Sequence, residues 1–219
     1  MDGNSRWAKS QGLSKVIGYS KGVDVMAEII ENISKYGIEY VTFFAFSEEN
    51  WNRPEEDVSF LLELLDHKLD SEINNLTENN IRLKFIGRLN NLSSKLQNKI
   101  THIETTNQFN TKLTVTIAFS YSGRNEIVDA CQKLIDTGVQ EITSEMIARN
   151  MYFSDMPDVD LLIRTGKEMR LSNFLPWHST YAELYFCDKY WPEFSLTELE
   201  IALSDFLKRQ RNFGHARKL

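Results

Sequence analysis

A chain of 219 residues is long enough for one well-buried domain or at most two small ones. With 42% hydrophobic, 11% aromatic and 26% charged residues it is globular rather than disordered. The net charge of −6, with no long basic stripe, excludes nucleic acid as an expected partner, so an anionic ligand must be met by a local field of a few arginines.

In chain order, residues 21–36 carry apolar side chains at Val23, Met26, Ile29, Ile30 and Ile33, a helical stripe that Gly37 can cap. Residues 40–46 are a short continuous apolar run, the pattern of a strand buried on both faces. Pro54 opens a long helix with Val58, Leu61, Leu62, Leu65, Leu69, Ile73 and Leu76 on one side. Strands are predicted at 81–86, 113–119, 159–163 and 183–187, and helices at 94–105 and 125–136, the latter closing near Gly138. Ser195 with Glu198 reads as a capping box for a last helix running towards Phe213 and Gly214. This alternation predicts an α/β fold: a mostly parallel sheet flanked by helices. No repeat, low-complexity tract or linker interrupts it, so residues 1–219 read as a single domain. Cys131 and Cys187 fit no metal or redox spacing and suit a reducing, cytoplasmic compartment. His67, His102, His178 and His215 are too scattered for a zinc site. No apolar run is long enough to span a bilayer, and no signal peptide is recognisable.

Residues 1–7 read Met-Asp-Gly-Asn-Ser-Arg-Trp. Asp2 can hold a divalent cation, Gly3 lets backbone N–H groups approach an anion, and Arg6 can pair with it, the chemistry of a diphosphate carried with its metal. Asp-Gly-Asn is equally an ordinary turn. Three further polar clusters follow predicted strands: Ser47, Glu48, Glu49, Asn50, Trp51 and Arg53; Ser120 to Arg124; and Arg164, Thr165, Gly166, Glu168, Arg170 and Ser172. The C-terminal ends of parallel strands are where such sheets place their ligands.

The stretches Met1-Asp-Gly-Asn-Ser-Arg-Trp-Ala8, Phe46-Ser-Glu-Glu-Asn-Trp-Asn-Arg-Pro54, Ser122-Gly-Arg-Asn-Glu-Ile127, Ile163-Arg-Thr-Gly-Lys-Glu-Met-Arg-Leu-Ser-Asn-Phe174 and Tyr181-Ala-Glu-Leu184 resemble the signature segments of the cis-prenyltransferase family, in the family's order. The resemblance implies a parallel six-stranded sheet flanked by helices, a homodimer, a Mg²⁺ requirement, and isopentenyl and farnesyl diphosphates as substrates. The implied product is a long polyprenyl diphosphate of undecaprenyl length for cell-wall lipid carrier supply, with peripheral membrane contact for its release. It also implies roles. Asp2 serves the metal, completed by Glu183. Gly3, Asn4, Ser5, Arg6 and Trp7, with Lys15 and Tyr19, hold the allylic diphosphate. Arg164, Arg170, Leu171 and Ser172 hold isopentenyl diphosphate, while Ser47, Glu48, Glu49, Trp51 and Arg53 line the same pocket. Asn50 matches the family's proton acceptor; an amide is a poor base, and orientation suits it better.

Plainer readings stand beside these. Trp7 and Trp51 can be core aromatics, Glu183 a solvated strand end, and Arg164 and Arg170 surface ion pairs with Glu168. The sequence also departs from the family. Tyr19 stands for its usual histidine, Lys167 for a glycine, and Ser120 and Ser122 for asparagine and glycine. The buried strand that the family carries before Met-Asp-Gly-Asn is lacking, which a start upstream of Met1 would explain. A second reading is a non-catalytic subunit of a heteromeric prenyltransferase, and retention of Asp2, Arg164 and Arg170 argues against it.

Overall fold

The computed structural model describes residues 1–213, without the side chains of residues 72–75 and 77. Ile73 of the expected helical stripe, and Gly214 and His215, therefore lie outside the described residues. The elements in chain order are α1 (Asn4–Ser10), α2 (Lys15–Ile33), β1 (Tyr40–Ser47), α3 (Glu55–Glu78), β2 (Ile81–Ile86), α4 (Ser94–Thr106), β3 (Leu113–Tyr121), α5 (Gly123–Asp136), α6 (Ser144–Asn150), β4 (Leu161–Arg164), β5 (Glu183–Phe186) and α7 (Leu196–Leu207). They fall into two compact units. The larger comprises Ile30–Met156 with Ser172–Phe174, and the smaller comprises Met1–Ile29, Pro157–Leu171 and Leu175–Leu219.

In the larger unit three strands form a parallel sheet in the order β1-β3-β2. β3 is hydrogen-bonded on both sides and is buried at every residue, Thr114 and Thr116 included. The apolar run of β1 predicts the same, but only Phe43 and Phe46 are buried there, and Tyr40 is exposed. The difference is positional: β1 pairs with β3 and takes an outer place in its sheet, whereas β3 takes the centre. α4 starts on Ser93, whose side chain accepts the Leu96 N–H, and buries Leu96, Ile100 and Ile103, one helical stripe. Buried Asn107 then ties α4 to the sheet: its Oδ1 accepts from the Leu83 N–H at 2.8 Å and its Nδ2 donates to the Ile103 carbonyl at 2.7 Å. On α3, Val58, Leu69 and Leu76 are buried, while Leu61, Leu62 and Leu65 are only half-buried.

In the smaller unit β4 and β5 form a parallel pair in register Leu161↔Glu183 to Arg164↔Phe186. Gly18 and Gly22 let α2 lie directly on α1. A Cβ at Gly18 would run into the Asn4 carbonyl, and one at Gly22 into the Asn4 side chain. Trp191 closes this packing, donating its indole N–H to the Gly22 carbonyl at 2.7 Å and stacking on Phe194. α7 starts on Ser195, which accepts the Glu198 N–H, one half of the predicted capping box, while the Glu198 carboxylate faces Cys187 Sγ. It ends at Leu207, short of Phe213, because Lys208, Arg209, Gln210, Arg211 and Asn212 offer no apolar stripe to bury. α1 and α6, seven residues each, are too short to show a periodic stripe and were not predicted.

Candidate active site

The smaller unit carries a charge cluster built around Asp2. Its backbone is fixed first: the Asp2 N–H donates to Thr165 Oγ1 at 2.9 Å, and its carbonyl accepts from the Thr165 hydroxyl and from the Trp191 N–H, each at 3.0 Å. Gly3 follows in the left-handed region at φ 106°, its Cα pressed on the Tyr190 ring, and α1 begins at the next residue. The Asp2 carboxylate lies between two guanidiniums, Arg6 Nη2 on Oδ1 and Arg164 Nη2 on Oδ2, both at 3.0 Å. Burial alone would raise its pKa; Arg164 and Arg6 outweigh that and hold it below the ordinary carboxylate range. Gly166, at φ 90°, packs against this pair, and a Cβ there would meet Arg6 Nη2 at 2.9 Å and Asp2 at 3.0 Å.

Glu168 extends the cluster, binding Arg6 at 2.9 Å through one oxygen and Arg170 at 2.6 Å through the other. Arg164 also donates to the Arg170 carbonyl. The ion pairs read for Arg170 with Glu168 thus exist, while Arg164 turns to Asp2. The backbone from 166 to 175 is held in uncommon geometry: Lys167 (φ 64°), Ser172 (φ 48°), Asn173 (φ 65°) and Leu175 (φ 47°) are all left-handed without being glycine. Such residues cost about 1 kcal/mol or more each and collect at functional loops. Leu171 is half-buried and Ser172 exposed. Of the other residues assigned to the first substrate, Ser5 donates to the Tyr19 hydroxyl at 3.1 Å, linking α1 to α2; Asn4 and Trp7 are half-buried on α1, and Lys15 is exposed at the start of α2.

Glu183 is not brought to Asp2. It opens β5 opposite Leu161, whereas Arg164 ends β4 opposite Phe186, so three residues, about 10 Å of strand, separate the two ends. Its carboxylate instead accepts from Nη1 of Arg209 at 3.0 Å, whose Nη2 binds Asp205. No group of three His, Cys, Asp or Glu side chains with metal-binding geometry occurs among the described residues.

The larger unit carries the second set at the C-terminal end of β1. Ser47 and Asn50 cap each other: the Ser47 side chain accepts the Asn50 N–H, and Asn50 Oδ1 accepts the Ser47 N–H at 3.1 Å. This engages the amide oxygen of Asn50 and suits an orienting role over that of a base. The Trp51 indole donates to buried Ser120 at 2.9 Å and packs edge-on to Phe46. Ser120 is left-handed at φ 49°, a conformation that asparagine tolerates better. Glu48 is held by the Asn125 amide and by Arg88, at 3.5 Å, and Arg88 is locked in turn by a two-pronged bond to Asp129. Tyr152 donates to Asp129 at 2.5 Å, and Tyr121 to the fully buried Glu126 at 2.5 Å. Glu49 and Arg53 are exposed. Asn173 caps α5, accepting from the Gly123 and Arg124 N–H groups and donating to Ser122.

Sequence reading named Thr165 without a role and missed Arg88, Asp129, Trp191 and Tyr190. These hold other site residues through contacts distant in sequence, for which no local pattern exists.

The sequence model of a family described as putative undecaprenyl diphosphate synthase matches residues 1–214. The chain belongs to this prenyltransferase family. It is 46% identical over 214 residues to the isoprenyl transferase of Rickettsia sibirica, covering 98% of this chain and 95% of that protein. To the isoprenyl transferase of Neisseria gonorrhoeae it is 45% identical, over 98% of this chain and 86% of the relative. Among solved structures it is similar to a probable undecaprenyl diphosphate synthase from Campylobacter jejuni (TM-score 0.82, 37% identity, 89% of this chain and 92% of that one). It is also similar to the lavandulyl diphosphate synthase of Lavandula x intermedia, solved in complex with dimethylallyl diphosphate (TM-score 0.93, 32% identity, 98% and 95%). Membership makes this chain a prenyltransferase of isoprenoid biosynthesis, acting on isoprenoid diphosphates in cis-prenyl chain elongation, and its mixed α/β architecture with parallel strands is the family's. No helix among the described residues is long and apolar enough to cross a membrane.

Proposed function

We propose that this chain condenses isopentenyl diphosphate onto farnesyl diphosphate, repeatedly and with Mg²⁺, to build a polyprenyl diphosphate of undecaprenyl length. The observation that carries this is the Asp2 carboxylate held between Arg6 and Arg164, against a left-handed glycine that leaves no room for a Cβ. A hard carboxylate flanked by guanidiniums fits Mg²⁺ bound mainly through substrate phosphates and water, which needs only one or two protein carboxylates. Asp2 would hold the ion, which when bound neutralises charge growing on the leaving diphosphate. Gly3, Asn4, Ser5 and Arg6 bind and orient the allylic diphosphate; Arg164 and Arg170, whose planar forks stay charged throughout, do the same for isopentenyl diphosphate together with Ser172. Asn50, its amide oxygen engaged by the Ser47 N–H, orients groups and does not act as the base. The enzyme acts as a homodimer and hands its apolar product to a membrane surface.

Incubation of the purified chain with both diphosphates and Mg²⁺, followed by chromatography of the dephosphorylated products, tests this reading. Chain-extended prenol that disappears on chelation is the expected result. Binding of both diphosphates without any extension would overturn it and favour a non-catalytic subunit.

A further inference from the structure

Lys167 is the odd residue of the Asp2 cluster. It occupies a left-handed position, φ 64°, where a side chain is unfavourable, and it is exposed. Arg6, Arg164 and Arg170 all have carboxylate partners. The Lys167 ammonium has none among the described residues, and instead lies over the Tyr190 ring, 5.2 Å from its centroid. Arg6 lies over the same ring at 5.5 Å. Tyr190 is itself braced, its ring pressed by Gly3 and its backbone N–H donating to Glu193 at 3.0 Å.

Four cations thus meet two carboxylates here, in a chain whose overall charge is −6. A cation on an aromatic face is attracted to the ring but keeps its charge unneutralised. Two cations on one ring repel each other, and an anion that bridges them relieves the repulsion.

Resting on the proposed diphosphate chemistry, we propose that Lys167 and Tyr190 form an additional diphosphate-binding element on the Arg6 side of the cluster, with Lys167 as the ligand-contacting cation and Tyr190 as the positioning residue that aims it. The element serves the substrate that Arg6 holds, the allylic one. Lys167 belongs with Arg6 and not Arg170 because the shared ring joins it to the former, while Arg170 is joined to the cluster through Glu168.

The test measures binding of inorganic diphosphate by calorimetry, and KM and kcat for both substrates, for the wild type, Lys167→Gly, Tyr190→Leu and Tyr190→Phe over a salt series. Lys167→Gly should weaken diphosphate binding and raise the allylic KM about fivefold to tenfold, the range of one ordinary solvent-exposed contact. It should flatten the salt dependence of both and leave kcat and the isopentenyl KM within twofold. Its thermal midpoint should not fall, since glycine suits a left-handed position. Tyr190→Leu should reproduce the binding loss, and Tyr190→Phe, which keeps the ring face, should behave as wild type. Unchanged diphosphate binding in Lys167→Gly, a Phe variant as weak as the Leu variant, or a shift confined to the isopentenyl KM would each overturn the proposal. Wild type that binds diphosphate but extends no chain would instead defeat the function reading, leaving the calorimetric comparison as the test of the element.

Discussion

At the residue scale, Asp2 is over-determined. Three backbone hydrogen bonds fix where it sits, and two guanidiniums fix where its carboxylate points. That investment of contacts in one exposed-edge side chain makes sense for a group that must meet a ligand in a set geometry. Asp2→Ala should therefore lower kcat far more than it raises either KM. Steady-state kinetics on both substrates checks this, and a kcat loss below about tenfold, ~1.4 kcal/mol, would be too small for the proposed role of placing Mg²⁺ on the leaving diphosphate. Gly166 is the companion case. Its φ of 90° and its contact with Arg6 and Asp2 leave alanine both strained and crowded. Gly166→Ala should lose turnover to a comparable degree through displacement of Asp2, and near-wild-type kcat would show that the pair can shift at little cost.

At the element scale, the approach of α1 to α2 rests on two glycines one helical turn apart. Gly22 faces the Asn4 side chain and the Trp191 indole together, and that indole is held by its bond to the Gly22 carbonyl, so an added methyl group is crowded on two sides. Gly22→Ala should cost about 2 kcal/mol by overpacking, despite alanine's better helix propensity. For a chain of this size that is a fall of about 4–8 °C in the thermal midpoint. Scanning calorimetry reads it directly, and an unchanged or raised midpoint would mean that α1 moves aside freely. The helix caps were legible in advance: Ser195 accepts the Glu198 N–H because a short hydroxyl before an apolar stripe has an unmet backbone donor within reach. Strand burial was not, since β1 is the more continuous apolar run and β3 carries Thr114, Thr116 and Ser120, yet the central place in the sheet buries β3.

At the scale of the whole molecule, carboxylates with cationic partners set the response to acid. Asp66 is drawn down to about 2 by Lys95 and Lys99, and Arg88 draws down Asp129. At Asp2, burial is outweighed by Arg164 and Arg6. A depressed folded pKa means that the contribution is complete above the unfolded value, near 4, and is lost as pH falls through the folded value. The urea midpoint should therefore hold down to about pH 4 and decline from there towards pH 2. Glu126 opposes this slightly, because burial raises its pKa and favours the protonated folded form. Urea titrations at a series of pH values give the curve, and a midpoint that stayed flat from pH 4 to 2 would show that these pairs contribute nothing net.

Apart from the short helices α1 and α6, the order of helices and strands was legible in the residues alone, as were the parallel α/β class and the family, because periodicity, caps and ordered signature segments are local properties of a chain. So were most candidate site residues, since each lies within a contiguous motif. The tertiary structure alone decided which of them meet. It joined Asp2 to Arg164, left Glu183 at the other end of the strand pair with Arg209, and placed Lys167 on Tyr190. Those pairings join residues far apart in the chain through strand register, helix crossing and the left-handed turns after β4. None of these is encoded by the spacing of a motif, because each depends on where a second segment comes to rest.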